Sequence, residues 1–418
     1  MRRYRAVILL SVILAGMLCG CTKESDRSSY PREDFVMIYY CAGFNDLSSS
    51  IQGNLDVLKK GNIPFVGSKH KLLTFTHFSV TDIDFNTLTP SHLVELSKDF
   101  GKLKADTLLT IDKSRYATDP AVMREVLEKV MELYPGARYG LVFSSHATGW
   151  LPPGKYNSTN VLDVFQLSRK RHSDELPLFR YNENPDEPRV KSIGAEAKMI
   201  DGKRYSLEMN IHDMAAAIPM HLDYILFDAC LMGGVEIAYE FKDVADKVAF
   251  SPTEVLADGF DYSDVSTLIS DNPSIEGFCK LYFDHYDKLG SSATITVTKS
   301  SALPALAQTC KTLFSKYRVN LDALGINSGI QPYFQGSHHW FYDLQDIFSK
   351  ADISLEDMAT LKLALDSCIS YKASTPRFLT ITINTYSGLS MYLPGAGDAA
   401  LNEFYKTLEW NKATNLVE

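Results

Sequence analysis

The sequence predicts an α/β fold in which helices cover both faces of a mostly parallel central sheet. Three observations predict it: continuous apolar runs of strand length, helical apolar spacing between those runs, and no recurring repeat. Continuous apolar runs are typical of parallel strands buried on both faces. The 418 residues are 45% hydrophobic and 22% charged, a balance that excludes wholesale disorder and a polytopic membrane protein.

The elements follow in chain order. Strands are predicted at Phe35–Cys41, Lys71–Phe78, Asp106–Ile111, Tyr139–Ser144, Tyr224–Phe227 and Ala293–Val297. Asp119 and Pro120 begin a helix that Pro135-Gly136 ends, and two more helices are predicted at about 274–289 and 303–317. Near the C-terminus, Phe378–Ile383 and Leu389–Leu393 are predicted to pair across a Ser387-Gly388 turn.

The N-terminus has the form of an export signal. Three arginines precede an apolar run from Ala6 to Leu18, which as a helix covers about 20 Å, less than the roughly 30 Å hydrocarbon core. The segment Leu18-Cys19-Gly20-Cys21 resembles a bacterial lipobox, which implies cleavage after residue 20 and a lipid on Cys21. A plain cleaved signal is the alternative. Residues 21–34 hold almost no apolar side chain, and we expect a flexible tether there.

Charge and cysteine content exclude several classes of protein. The net charge of −9 argues against a nucleic-acid partner, because phosphate contacts need clustered Lys and Arg. Beyond the leader lie five cysteines with no Cys-x-x-Cys spacing, so neither a structural zinc site nor a redox pair is predicted. The pair His338-His339 has no further ligands in register, and no metal site is predicted.

One polar stretch interrupts the alternation of strands and helices. From Leu151 to Arg204 the chain is rich in Pro, Asn, Lys, Arg and Glu and has little apolar periodicity. Long segments of this kind are usually functional or mobile, so we interpret the stretch as an insertion between two core strands.

Two predicted buried strands run into residues that can do chemistry. The strand at 139–144 leads to His146, and the strand that ends at Phe227 leads to Cys230. In open α/β sheets, ligands bind beyond the carboxyl ends of the strands. We therefore expect both side chains at one edge of the sheet, although a lone buried cysteine is more often a small core residue.

The residues after the cysteine predict a helix. Leu231, Val235, Ala238 and Tyr239 recur at helical spacing, so we expect the helix to begin directly after Cys230. A helix N-terminus favours thiolate over thiol. The sequence thus predicts a lowered pKa for Cys230.

Motifs spread over most of the chain resemble the clostripain-like cysteine peptidases of the caspase-like clan. Phe227–Phe241 (FDACLMGGVEIAYEF) resembles the nucleophile motif of that family, and Ser145–Trp150 resembles its histidine motif, His-Gly-x-Gly-Trp. Weaker echoes lie at Tyr39–Leu47, Ser251–Tyr262, Tyr342–Ile347 and Gly388–Pro394. Together with the leader, these motifs resemble a bacterial lipoprotein member of the family.

The resemblance implies a caspase-like α/β/α sandwich and a Cys–His dyad. Cys230 would attack the scissile carbonyl, and His146 would protonate the leaving amine. The backbone N–H groups of Ala147 and Cys230 would bind the oxyanion. Asp228 matches the acidic residue that selects Arg or Lys before the cut, although it could instead cap the following helix.

The resemblance also implies a domain organisation and a setting. We expect a catalytic core over 35–300, with the 151–204 insertion as a processing loop for self-cleavage, and the C-terminal part of the peptidase domain, an α/β extension, over 301–418. The substrates would be proteins or peptides with basic residues, and the chain would be lipid-anchored in the cell envelope. No cofactor is required. Some relatives need calcium, which stays open because no Asp-x-Asp-x-Asp-Gly loop occurs.

Two departures from the family pattern support a rival hypothesis. Ala147 stands where the family has Gly, and Phe44-Asn45 stands where it has Asp-Asn. If position 147 needs a positive φ, alanine would be strained there and could misplace the oxyanion donor. The alternative function is a catalytically impaired paralogue that binds peptide or glycan at the cell surface.

Overall fold

The computed structural model describes residues 34–155, 178–180, 193–334 and 340–418. The strands before residue 300 are β1 (Phe35–Gly43), β2 (Lys71–Phe78), β3 (Ser91–Asp99), β4 (Lys102–Ile111), β5 (Arg138–Ser144), β6 (Leu178–Arg180), β7 (Ile193–Ile200), β8 (Lys203–Met209), β9 (Leu222–Asp228), β10 (Ala245–Phe250) and β11 (Thr294–Lys299). The remaining strands are β12 (Tyr342–Asp343), β13 (Ile369–Ser374), β14 (Arg377–Phe378), β15 (Ile381–Thr382) and β16 (Ser390–Met391).

The α-helices of the described residues alternate with these strands. They are α1 (Ser48–Lys60), α2 (Pro120–Leu133), α3 (Ile211–Ala217), α4 (Val235–Glu240), α5 (Ile275–Lys288), α6 (Leu303–Lys316), α7 (Arg318–Asp322), α8 (Leu344–Lys350), α9 (Leu355–Cys368), α10 (Ala399–Tyr405) and α11 (Glu409–Thr414). Helix α2 begins as its sequence predicts, because the Asp119 side chain accepts a hydrogen bond from the Ala121 N–H. None of the described helices combines the length and apolar character needed to span a membrane.

A nine-stranded sheet forms the centre of the molecule, in the order β13-β11-β10-β9-β5-β1-β2-β3-β4. Its five middle strands, from β10 to β2, are parallel. The two strands added at each side are antiparallel. The prediction of a mostly parallel sheet with helices on both faces is therefore confirmed.

The position of strand β1 between two hydrophobic cores explains why its sequence is continuously apolar. Val36, Ile38 and Tyr40 pack into one core with helix α2. The alternate residues Met37 and Tyr39 pack into a second core with α1 and α5. Because successive side chains of a strand point to opposite faces, a strand with a core on each side has no polar position.

The polar stretch at 151–204 contains regular structure that its sequence does not predict. Strands β6, β7 and β8 form a separate three-stranded sheet in the order β6-β8-β7. Asp201 and Gly202 turn the β7–β8 hairpin with φ angles of 50° and 71°, as expected for an Asp-Gly turn between two strands. The segment between the core strands β5 and β9 therefore contains regular structure that its lack of apolar periodicity did not indicate.

The C-terminal strand pairing is also different from the prediction. Phe378 belongs to β14, which pairs with β15 in a small hairpin. Strand β16 pairs instead with β12. The strands of both pairings are only two residues long, shorter than the runs from which a sequence pattern predicts a strand.

Residues Asp34–Glu418 form one compact unit. The part after residue 300 adds β13 to the edge of the central sheet and adds helices α6 and α9 to the same core as α2. The predicted signal peptide, the tether up to residue 33, Cys21 and the His338-His339 pair lie outside the described residues.

Candidate active site

The register of two parallel strands brings His146 and Cys230 together. Strands β5 and β9 pair in parallel, with Ser144 opposite Asp228. His146 and Cys230 each lie two residues beyond that pair, at the carboxyl edge of the sheet. Both line one pocket of about 170 Å³, together with Asp228, Asn54 and Gly259. The expectation that both side chains reach one edge of the sheet is confirmed.

The imidazole of His146 is held by a carboxylate from the neighbouring strand. Its Nε2 lies 2.8 Å from Oδ1 of Asp46, which follows the end of β1. The two side chains are only 8% and 14% exposed. The contact therefore lies in a site with little solvent, where a charged hydrogen bond is stronger than at a surface.

Cys230 is partly exposed, and its sulfur is hydrogen-bonded to one residue. The N–H of Val255 donates to Sγ over 3.3 Å, and the thiol faces the Val255 carbonyl oxygen at 3.7 Å. Burial raises the pKa of the thiol to about 12, and the charge of Glu254 contributes in the same direction. At neutral pH the free site therefore holds a neutral thiol.

The predicted lowering of the Cys230 pKa by a helix is wrong. Helix α4 begins at Val235, and the chain between it and Cys230 forms a turn in which Leu231 has a φ of 59°. The N–H groups of Leu231 and Gly233 donate to carbonyls of Thr253 and Ser251. A helix that began directly after Cys230 would have unpaired N–H groups near the thiol. Here the N–H groups of Leu231 and Gly233 are already hydrogen-bonded.

The histidine loop packs tightly on this turn. Gly149 has a φ of 62°, and a Cβ there would lie 2.6 Å from the Leu231 carbonyl oxygen and 2.9 Å from Phe341. Trp150, the last residue of the histidine motif, packs its ring edge-on against Tyr392 and Tyr405. Gly149 therefore permits the close approach of the histidine loop to the Leu231 turn, and Trp150 anchors that loop to the C-terminal part.

Asp228 forms the polar wall of the pocket. Its Oδ2 accepts hydrogen bonds from the hydroxyls of Tyr262 at 2.8 Å and Ser144 at 3.3 Å. Burial raises the pKa of the carboxyl to about 6, against the lowering effect of these two hydroxyls. Helix α4 has Gly234 at its N-cap and no side-chain cap, so the alternative that Asp228 caps this helix is wrong.

Gly259 keeps the pocket open next to Asp228. It has a φ of 59°, and a Cβ at this position would lie 3.3 Å from both carboxylate oxygens and 2.5 Å from Asn54 Nδ2. Its carbonyl is fixed by a hydrogen bond from the Tyr286 hydroxyl. A side chain at position 259 would therefore fill the space next to the carboxylate.

Ala147 does not carry the strain on which the rival hypothesis depended. Among the described residues near the site, the non-glycine residue with a positive φ is Leu231. The φ of Ala147 is not positive. Alanine therefore adopts the local backbone without the penalty that a left-handed conformation would bring.

Two residues of the site are not predicted by the sequence motifs. Asp46 follows β1 in the segment Phe44-Asn45-Asp46, where a carboxylate just beyond a buried strand is the only signal. Arg204 is the last residue of the predicted 151–204 processing loop, yet its Nη2 lies 3.7 Å from Asp46 Oδ1. Both contacts join segments that are distant in the sequence, which a local pattern does not contain.

A family model and solved structures match the chain. The model of the clostripain family (Peptidase_C11) matches residues 197–415, a range that contains Asp228 and Cys230 and begins after His146. No curated protein matches the sequence.

The solved structures cover nearly the whole chain. An inactive zymogen of a C11 protease from Parabacteroides distasonis is 28% identical, with a TM-score of 0.71 over 92% of this chain and 99% of that one. A secreted C11 cysteine protease from Bacteroides thetaiotaomicron, iotapain, is 23% identical, with a TM-score of 0.69 over 91% and 99%. A secreted C11 cysteine protease from the same organism, in complex with an irreversible peptide inhibitor, is 23% identical, with a TM-score of 0.70 over 92% and 99%.

Proposed function

The chain belongs to the clostripain family and is a cysteine peptidase, and from this premise we propose that it cleaves peptide bonds after Arg or Lys. In this proposal Cys230 is the nucleophile and His146 transfers the proton. One observation carries the proposal: His146, Cys230 and Asp228 line the same pocket at the carboxyl ends of two paired parallel strands.

The chemistry follows from a neutral thiol beside an imidazole. His146 takes the proton of Cys230 as Sγ attacks the scissile carbonyl carbon, and the N–H groups of Ala147 and Cys230 receive the negative charge on oxygen. The C–N bond then breaks, and the proton passes from His146 to the departing amine. Water hydrolyses the acyl-enzyme, with His146 as the base, and the thiol is restored.

Asp228 supplies the selectivity in this proposal. Two hydroxyls already donate to Oδ2, whereas Gly259 leaves room on the pocket side of the carboxylate. A guanidinium or ammonium group entering the pocket would pair with the ionised carboxylate in a site that excludes most water. Cationic side chains are favoured for that reason.

We expect binding of a basic side chain to weaken as the pH falls through about 6. The pKa of Asp228 is raised to about 6 by burial, so the carboxyl is ionised above that pH and neutral below it. The inhibition constant of benzamidine, a small cation, should rise about tenfold per pH unit below 6 and level off above 7. An Asp228→Asn variant should bind benzamidine weakly with no such dependence. A flat profile in the parent would contradict the assignment.

The proposal is tested with fluorogenic peptides that end in Arg, Lys, Asp or Leu. The mature protein should cleave the Arg and Lys peptides and leave the Asp and Leu peptides intact. Calcium and reductant are added in separate arms, because the calcium requirement is open. Turnover of none of the four by a folded protein would favour the alternative of a surface peptide- or glycan-binding protein.

Self-processing is part of the proposal. Arg180 of β6 pairs with β8, and Lys203 and Arg204 of β8 pair with β7. The Lys155 ammonium is bound to Asp398 at 2.9 Å. A peptidase needs an extended, unpaired chain in its cleft, so we expect cleavage after other basic residues of the segment. The candidates outside the described residues are Arg169, Lys170, Arg171, Arg189 and Lys191. N-terminal sequencing of the fragments, with Cys230→Ala as the uncut reference, identifies the bond.

We also propose that the peptidase works at the cell envelope, tethered by a lipid on Cys21. The basis is the lipobox-like sequence and the polar residues that follow it. Mass spectrometry of the N-terminal peptide of the mature protein should find a lipid-modified cysteine at position 21. An unmodified N-terminus created elsewhere would indicate a plain cleaved signal.

A further inference from the structure

The turn after β1 has a fixed geometry. The Asn45 side chain donates to the carbonyls of Ala42 at 3.1 Å and Ala195 at 2.7 Å, and it accepts from the Leu47 N–H at 2.8 Å. Asn45 is itself fully buried. The backbone of Asp46 is therefore held between two residues, Asn45 and Leu47, that these hydrogen bonds fix in place.

The Asp46 carboxylate faces two cationic or ionisable side chains through the same oxygen. Oδ1 lies 2.8 Å from His146 Nε2 and 3.7 Å from Arg204 Nη2. The guanidinium also lies over the Phe85 ring, with 4.2 Å between its carbon and the ring centroid. Arg204 is 16% exposed. A carboxylate beside a guanidinium stays ionised, and a shielded site screens the pair little.

This geometry selects one tautomer of the imidazole. A carboxylate only accepts hydrogen bonds, so Nε2 carries a proton, and Nδ1 is the basic nitrogen of the neutral ring. The nucleophile is a neutral thiol whose proton must go to His146 before or during attack. When Nδ1 takes that proton, the ring becomes an imidazolium, and Asp46 is the anion that faces its other nitrogen.

We propose that Asp46 is a positioning residue that holds His146 in the Nε2–H tautomer and stabilises its protonated form, and that Arg204 of β8 supports it. The inference rests on the proposed function and adds a third and a fourth residue to the dyad. In this role Asp46 acts through its contact with the imidazole. Because Arg204 belongs to the chain between the histidine and the cysteine, the β7–β8 hairpin contributes directly to the alignment of the site.

The test compares Asp46→Asn and Asp46→Glu with the parent on an Arg peptide. D46N should lower kcat by about 10²-fold or more and change KM less than about threefold, since it removes the charge and permits the wrong tautomer. D46E should restore part of the loss. Arg204→Gln should lower kcat about tenfold. Asp56→Asn, on the exposed face of α1 and paired with Lys59, is the control and should be unchanged.

A second measurement, the alkylation rate of Cys230, does not require a peptide substrate. Alkylation of Cys230 by iodoacetamide, measured against a Cys230→Ala background, should slow at least tenfold in D46N, because the thiol then loses its proton less readily. The other four cysteines of the described residues are buried. Thermal melts establish that each variant is folded, and Asp46→Ser provides a second charge-free variant if D46N does not fold.

Two results would overturn the inference. One is a folded, charge-free variant at position 46 with kcat within threefold of the parent. The other is an unchanged alkylation rate in that variant. A parent that cleaves no peptide refutes the proposed function, and the alkylation rates then decide the role of Asp46 by themselves.

Discussion

Cys230→Ala should remove peptidase activity on Arg and Lys peptides, with kcat falling at least about 10⁴-fold. The residual rate should be that of a site that binds and polarises the substrate without a nucleophile. Alanine is smaller than cysteine and leaves the Leu231 turn in place, because that turn is held by backbone hydrogen bonds to Ser251 and Thr253. The fold should therefore survive, and the thermal midpoint should change by only a few degrees.

The matched control is another thiol of the chain. Cys310 is fully buried in helix α6, and Cys310→Ala should cost about 1 kcal/mol of unfolding free energy while leaving kcat unchanged. The comparison separates loss of the nucleophile from loss of a small core side chain. Turnover by Cys230→Ala at a tenth of the parent rate or more contradicts the assignment of Cys230 as nucleophile.

Asp228→Asn should lower kcat/KM for Arg peptides by about 10²–10³-fold. An asparagine keeps the shape and one acceptor for Tyr262 and Ser144, but it has no charge to pair with a guanidinium that has left water. The loss should be larger for Arg and Lys peptides than for any neutral peptide that is cleaved at a background rate. Steady-state kinetics on the four-peptide panel measures it.

Two further variants serve as controls for the Asp228→Asn experiment. Asp223→Asn removes a carboxylate from the opposite end of the same strand, where it pairs with Arg138, and should leave the peptide preference unchanged. Tyr262→Phe removes one hydrogen bond to Asp228 but leaves the Asp228 carboxylate charge in place, so Arg peptides should remain the preferred substrates. An Asp228→Asn enzyme with unaltered preference would contradict the role of this residue.

The elements that the sequence predicts well are those with one dominant physical cause. Strand β1 lies between two cores, so all of its residues are apolar. Helix α2 has a capping aspartate and a proline at its first turn. His146 and Cys230 each lie two residues beyond the ends of β5 and β9, and a parallel sheet aligns those ends. This part of the site therefore follows from strand prediction alone.

The elements that the sequence does not predict depend on contacts between distant segments. Strands β7 and β8 form a hairpin in a polar stretch whose Asp201-Gly202 turn is the local signal. Helix α4 begins only at Val235, because the N–H groups of Leu231 and Gly233 donate to the carbonyls of Thr253 and Ser251. Helical spacing cannot reveal that these donors are used elsewhere.

The electrostatics of the site are also beyond a local pattern. The Cys230 thiol pKa is raised by burial and by Glu254, a residue 24 positions later in the chain. Asp46 reaches His146 across 100 positions of sequence. A motif indicates which residue types are present, whereas the charge state of each one depends on neighbours supplied by other strands.

The most direct test of the account uses an irreversible probe that carries Arg next to a thiol-reactive ketone. The folded mature protein is incubated with the Arg probe and, separately, with a Leu probe of the same reactivity, and the adducts are located by peptide mass mapping. We predict one adduct per chain from the Arg probe, on Cys230, with little from the Leu probe and none in Cys230→Ala. An adduct on another cysteine, or equal labelling by both probes, would contradict a peptidase in which Cys230 attacks and Asp228 selects the basic side chain.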